Sequence, residues 1–205
     1  MEGGDGGHVV IEYVAGALAG YLLGSIPVSL LVARAHGVDL REVGDRNPGA
    51  WNALEHLGPR RAAPAFLGDG AKALAAGLVG LILGGYWVAF AAVAAAMVGH
   101  AFPVFASFRG GKAVMCFVGG GFALSPLAAL MALGLCLGIT AVARSFAWGA
   151  RAGVFAYPAI QLAVDPVERV AATGALMCVI GALFGLARLR TSGPATSSSA
   201  AGSTG

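Results

Sequence analysis

Two runs without a charged side chain, residues 73–108 and 113–143, constrain this chain more than any other feature. They hold 36 and 31 residues. As continuous helices they would measure about 54 Å and about 47 Å, against a hydrocarbon core of about 30 Å. A third run, residues 13–33, has 21 uncharged residues, enough for one crossing. With 58% hydrophobic residues, 11% charged residues and a mean hydropathy of +0.79, the chain is far more apolar than a soluble domain. It reads as an all-α integral membrane protein. The run 73–108 must turn, and Gly84-Gly85 is the cheapest place. The run 113–143 is either one tilted helix or two helices hinged at Ser125-Pro126. Charge placement decides between them. With two crossings there, the chain makes about seven, its N-terminus lies outside and its C-terminus is cytoplasmic. Twelve of the 13 lysines and arginines then fall on the inner side, leaving only Arg169 outside, as the positive-inside rule favours.

The remaining segments fit that frame. The N-terminus, MEGGDGGHVV, lacks the basic region of a cleaved signal peptide, so the first apolar run should stay in the membrane. Gly16, Gly20 and Gly24 recur at every fourth position and mark a face for close helix approach, and Pro27 should kink or unwind the second half. Residues 34–61 form the one long polar segment, a loop or surface helix. Residues 148–164 and 170–187 give the last crossings, joined by an outer turn over 165–169. Residues 1–8 are read as a short outer segment, 9–190 as the membrane domain and 191–205 as a disordered Ser/Gly/Ala-rich tail. Cys116, Cys136 and Cys178 lack metal or redox spacing and read as small core residues. Nucleic acid is excluded as a partner class, and the oligomeric state is left open.

Polar residues gather at three places on one predicted membrane face. The first is the loop around residues 44–52, where Asn47, Gly49 and Asn52 look like a turn or helix cap whose amides can bond a polyol or phosphate. The second is Asp69 with Lys72, three apart on one helical face and able to pair, in a region where ionisable residues are functional candidates. The third is residues 99–112, GHAFPVFASFRGGK. Here Gly110 and Gly111 could turn backbone N–H groups toward an anion at a helix start, while Arg109 and Lys112 add full charges. This is no Walker A loop, since Ala106 stands where that motif wants glycine and no Ser or Thr follows the lysine. His100 could orient or accept a proton.

The segment 99–112 resembles the G-H-x-F-P-V-F-x-x-F-[KR]-G-G-K signature of the acyl-phosphate-dependent glycerol-3-phosphate acyltransferases, the PlsY family. The likeness continues through Gly24-Ser25-Ile26-Pro27, Asp39-Leu40-Arg41, Gly44, Asn47-Pro48-Gly49-Ala50, Asn52, Asp69, Lys72 and Arg144. It implies a seven-helix bacterial inner-membrane enzyme that moves a fatty acyl group from acyl phosphate to the 1-hydroxyl of glycerol 3-phosphate, giving lysophosphatidate with no cofactor or metal. The partners implied are those two substrates and membrane lipid. On that pattern His100 and Lys112 are the catalytic candidates, and Arg41, Asn47, Gly49, Asn52, Asp69, Lys72, Arg109, Gly110 and Gly111 the substrate-binding ones. The chain departs from the family pattern at Asp45, Arg46, Trp51 and Glu55, where the family has Ser, Gly, Thr and Arg, and at Ala113, Met115 and Cys116. Two readings follow: a working acyltransferase, or a paralogue that keeps the fold and serves as a lipid-phosphate binding or partner protein.

Overall fold

The computed structural model describes residues 5–191. Those residues form nine α-helices and no strand: α1 Asp5–Gly24, α2 Val28–Arg34, α3 Ala50–Leu57, α4 Pro59–Gly84, α5 Tyr86–Ala101, α6 Val114–Leu124, α7 Pro126–Ala143, α8 Phe146–Val164 and α9 Val167–Thr191. A single 3-10 turn, Val104–Ala106, follows α5. The tail beyond Thr191, expected to be disordered, lies outside the described residues, as do residues 1–4.

The breaks fall where the backbone demands them. The first apolar run is interrupted at residues 25–27, and Pro27 caps a new helix, because its ring removes a donor and fixes φ. Gly85 sits at φ +78, a conformation glycine adopts without penalty, and reverses the chain between α4 and α5. Gly58, at φ +76, makes the equivalent corner from α3 into Pro59. The hinge at Ser125-Pro126 divides the run 113–143 into α6 and α7. One boundary differs from expectation: α1 begins at Asp5, so His8 and Glu12 lie inside a helix. The hydrophobicity of residues 9–11 carries the helix past Glu12.

Five stretches are long and apolar enough to cross a membrane: Gly6–Arg34, Pro59–Gly84, Tyr86–Ala106, Pro126–Ala143 and Val167–Leu189. The first of these takes in α1 and α2 together. Helix α6 is apolar but only 11 residues, about 16 Å, and α8 carries Arg151 and Gln161 within its 19 residues.

Helices α1, α4, α5 and α6 make the packed centre, with α2 and α3 against α4 at one end and the α7–α8 hairpin at the side. Small side chains let backbones meet, the usual basis of helix association in lipid. A Cβ at Gly20 or Gly24 would collide with the carbonyl oxygen of Ala92 or Ala96 on α5, and one at Gly119 of α6 with the carbonyl of Gly70 on α4. The core between them is built from Ala73, Ala76, Ala89, Val93, Ala96, Met97, Cys116 and Phe117. Large apolar residues such as Ile82, Leu130, Leu137 and Val142 instead lie exposed on the outer surface, as lipid-facing positions do. The cysteines do not share one environment. Cys116 is buried, Cys136 is half-buried and Cys178 is exposed on α9, so reading all three as core residues is corrected for Cys178. The outward face of a membrane helix is as apolar as its inward face, and hydrophobicity alone cannot separate them.

Candidate functional site

Beneath the α1–α2 break lies a cluster of buried polar side chains. Asp69 and Lys72, one turn apart on α4, are both almost fully covered, and the Lys72 ammonium lies 2.9 Å from Asp69 Oδ1. Lys72 also donates to the carbonyl of Ile26 at 2.8 Å and sits 2.9 Å from His100 Nδ1. An ammonium has donors only, so Nδ1 accepts, and the proton of a neutral imidazole is placed on Nε2. Ser29 of α2 donates to Asp69 Oδ2, and the Cys116 thiol of α6 points to the Asp69 carbonyl at 3.4 Å. Four helices, α2, α4, α5 and α6, and the α1–α2 break thus meet at Asp69 and Lys72. The pair read from the spacing of 69 and 72 is present, and the structure adds His100 and Ser29 to it.

The glycine pair rests on this cluster. Gly110 N–H donates to the Ala101 carbonyl and Gly111 N–H to the His100 carbonyl, both at 3.1 Å. A Cβ on Gly110 would strike the His100 carbonyl oxygen, and one on Gly111 would strike His100 Nε2. This corrects the expectation that both amides face a ligand: they satisfy the exposed carbonyls at the end of α5, and the glycines are needed for close approach to His100. The surrounding backbone is tightly bent. Ser107, Phe108 and Ala113 all have φ near the left-handed region, at +55, +57 and +58, and Arg46 across the cavity has +56. Left-handed non-glycine residues concentrate at functional sites.

The first loop is held from within. Asn52, 1% exposed, donates through Nδ2 to the carbonyls of Leu40, Val43 and Asn47 at 3.0–3.1 Å. Its amide N–H groups are therefore taken up in shaping the loop and not free to donate to a ligand, while the buried Oδ1 has no partner among the described residues. Gly49 is buried at the start of α3, with its N–H on the Asn47 carbonyl. Asp39 sets the other side: Arg41 N–H donates to its Oδ1 at 3.0 Å and Arg34 to its Oδ2 at 3.1 Å. The Arg41 amide and the Arg34 guanidinium together hold the Asp39 carboxyl below the usual carboxylate range. Arg41 Nη2 in turn donates to the carbonyl of Ala106 at 2.7 Å and more weakly to that of Arg109, pinning the two loops together.

Between the loops opens a cavity of about 580 Å³, lined by Arg41, Arg46, Asn47, Arg109, Gly110, Gly111 and Lys112, with Asp45 on the rim and Leu183, Leu186 and Ala187 of α9 along one edge. Four cations face one carboxylate. The carboxylate is not free: Asp45 Oδ2 lies 2.8 Å from Lys112 Nζ, whose ammonium also sits 4.7 Å over the Phe184 ring. A second, much smaller recess reaches inward to Asp69, Lys72 and His100, and Arg109 and Gly110 belong to both. The structure therefore brings together His100, Lys112, Arg41, Asn47, Asp69, Lys72, Arg109, Gly110 and Gly111, while Gly49 and Asn52 line neither space. Sequence reasoning named Arg46 only as a departure from the family pattern, not as a site residue, and passed over the α9 residues Leu183, Leu186 and Ala187. The 183/186/187 spacing is that of one helical face, but nothing local marks it as facing the loops. Five of the seven departures lie outside the cavity, and two of those five pair with each other: Trp51 Nε1 donates to Glu55 Oε1 at 2.8 Å, and the Trp51 ring stacks on Phe146.

Comparison with known proteins gives a consistent picture. A family model described as glycerol-3-phosphate acyltransferase matches residues 14–192. A glycerol-3-phosphate acyltransferase of Geobacter sulfurreducens is 41% identical over 160 residues, which is 77% of this chain and 80% of that protein. One from Rhizobium etli strain CFN 42 is 37% identical over 82% of this chain and 81% of its own length. One from Rubrobacter xylanophilus is 48% identical, but over 53% of this chain and 55% of that protein. Among solved structures, crystal structures of PlsY, an integral membrane glycerol 3-phosphate acyltransferase, superpose with a TM-score of 0.72. The glycerol 3-phosphate form is 31% identical and covers 87% of this chain and 89% of that one. The lysophosphatidic acid form is 29% identical and covers 87% and 92%.

Proposed function

This chain belongs to the glycerol-3-phosphate acyltransferase family, and from that premise we propose that it transfers a fatty acyl group from acyl phosphate to the 1-hydroxyl of glycerol 3-phosphate, giving lysophosphatidate. It is an all-α integral membrane protein. The observation that carries the reading is the large cavity, where four cations meet the apolar edge of α9. A phosphate needs the first and a fatty chain the second.

Arg46 and Arg109 have charged groups available for the phosphates, and Lys112, paired with Asp45, joins them when that carboxylate gives way, as arginine and lysine donors suit phosphate oxygens. Arg41 shares one Nη between two loop carbonyls and serves chiefly to place them. Asn47, whose side chain makes no hydrogen bond among the described residues, is available to a glycerol hydroxyl. The acyl chain lies toward Leu183 and Leu186. In the reaction the acceptor hydroxyl oxygen bonds to the acyl carbon, the bond from that carbon to the phosphate oxygen breaks, and the departing phosphate takes the hydroxyl proton. The chain's residues hold the two reactants at attacking distance and stabilise the carbonyl oxygen as charge builds on it. Asp69, Lys72 and His100 are positioning residues, acting through the α1–α2 break and Gly111. The paralogue reading is not favoured, because the altered residues Trp51 and Glu55 satisfy each other away from the cavity.

The same charges orient the protein. The cavity lies at the cytoplasmic leaflet of a bacterial inner membrane, with α1–α2 as one crossing and α4 through α9 as the other six, inside a membrane unit spanning residues 9–190.

Purified protein in detergent, given radiolabelled acyl phosphate, tests the assignment. The expected products with glycerol 3-phosphate are labelled lysophosphatidate and one phosphate per acyl group transferred, with glycerol acylated at least a hundredfold more slowly. Equal acylation of both acceptors, or hydrolysis of the donor without transfer, would refute it.

A further inference from the structure

We propose that Asp45 is a resident competitor for the substrate's phosphate, occupying the Lys112 ammonium that the phosphate needs and so setting the affinity for phosphate-bearing acceptors. The inference rests on the acyltransferase reading given above and concerns what tunes that site.

Three features of the geometry support it. Asp45 Oδ2 is 2.8 Å from Lys112 Nζ, within the cavity wall and beside Arg46. The carboxylate is 47% exposed and sits on a bent loop, with Gly44 and Arg46 both at positive φ, so it can swing away without disturbing a packed core. The lysine does not depend on it for its place, because the Phe184 ring lies 4.7 Å from the ammonium on α9. When Asp45 leaves, Lys112 stays.

An ion pair this open is weakly held. A phosphate dianion carries twice the charge and three acceptor oxygens, and finds Arg46 and Arg109 in the same space, so it displaces the carboxylate. A neutral polyol brings no charge with which to do so, and Asp45 therefore keeps the lysine closed to acceptors without phosphate. The other contact of Asp45 is local: its Oδ1 accepts the Asn47 N–H at 3.1 Å. Asparagine keeps an oxygen for that bond and removes only the competing charge.

The test compares wild type, Asp45→Asn, Asp45→Glu and Glu42→Gln. Glu42 is an exposed carboxylate of the same loop that does not line the cavity. Binding of inorganic phosphate and of glycerol 3-phosphate is measured by calorimetry in detergent, alongside KM for glycerol 3-phosphate. Asp45→Asn is expected to tighten both ligands and lower KM by about three- to tenfold, the size of an exposed pair plus a nearby like charge. Asp45→Glu should stay within twofold of wild type, and Glu42→Gln should change nothing. Weaker or unchanged binding in Asp45→Asn overturns the proposal, and so does an equal gain in Glu42→Gln, which would make the effect one of net charge. Failure of the wild type to form lysophosphatidate would defeat the functional reading, whereas the phosphate-binding comparison decides the role of Asp45 independently of turnover.

Discussion

Replacing Lys112 by methionine is expected to lower kcat/KM for lysophosphatidate formation by two to three orders of magnitude. The ammonium sits 4.7 Å over the Phe184 ring of α9, so its position is set before a ligand arrives and does not depend on Asp45. A charge aimed in advance at a developing or transferred negative group is worth about 2.7–4 kcal/mol in catalysis. Methionine keeps most of the aliphatic bulk against Phe184 and removes the charge, which separates electrostatics from packing. Steady-state kinetics on purified protein, with a melting curve to show that the variant is folded, provides the measurement. A folded variant within fivefold of wild type would remove Lys112 from the site.

Replacing Asp69 by alanine should act on the fold. The carboxylate is 1% exposed and is approached by Lys72, Ser29 and His100 from three different helices. Its loss leaves the buried Lys72 ammonium without a counter-charge, and removing one partner of a buried pair costs about 3–5 kcal/mol. For a chain of this size each kcal/mol moves the midpoint by about 2–4 °C, so thermal unfolding in detergent should fall by about 6–20 °C. The double variant Asp69→Leu with Lys72→Met should recover much of this, since it removes both charges. A midpoint unchanged in Asp69→Ala would mean that water reaches the cluster and that the charges are not mutually dependent.

What could be read in advance follows from how local each signal is. The breaks at Pro27, Gly85 and Ser125-Pro126 were legible because the residue itself limits the backbone there. The Asp69–Lys72 pair was legible because helical spacing alone brings the two together. The partners of Asn52, Gly110 and Gly111 were not. Each had donors that looked available for a ligand, and each donates instead to a backbone carbonyl that only the folded chain brings near. The acceptors are peptide groups, which every residue carries, so no side-chain pattern announces them. The same limit hid the α9 wall of the cavity: Leu183 and Leu186 resemble any other lipid-facing residues until the helix is placed beside Lys112. Asp45 is the converse case. As an isolated departure it looks hostile to phosphate, but its position opposite Lys112 makes it a partner in the same electrostatic site.

Determining the structure of the protein with glycerol 3-phosphate bound is the most direct measurement of where the chemistry occurs. The expected density places the phosphate within hydrogen-bond reach of Lys112 and Arg109, with Asp45 turned away and the glycerol hydroxyls toward Asn47. A phosphate seated elsewhere, with the Asp45–Lys112 pair still closed, would contradict it.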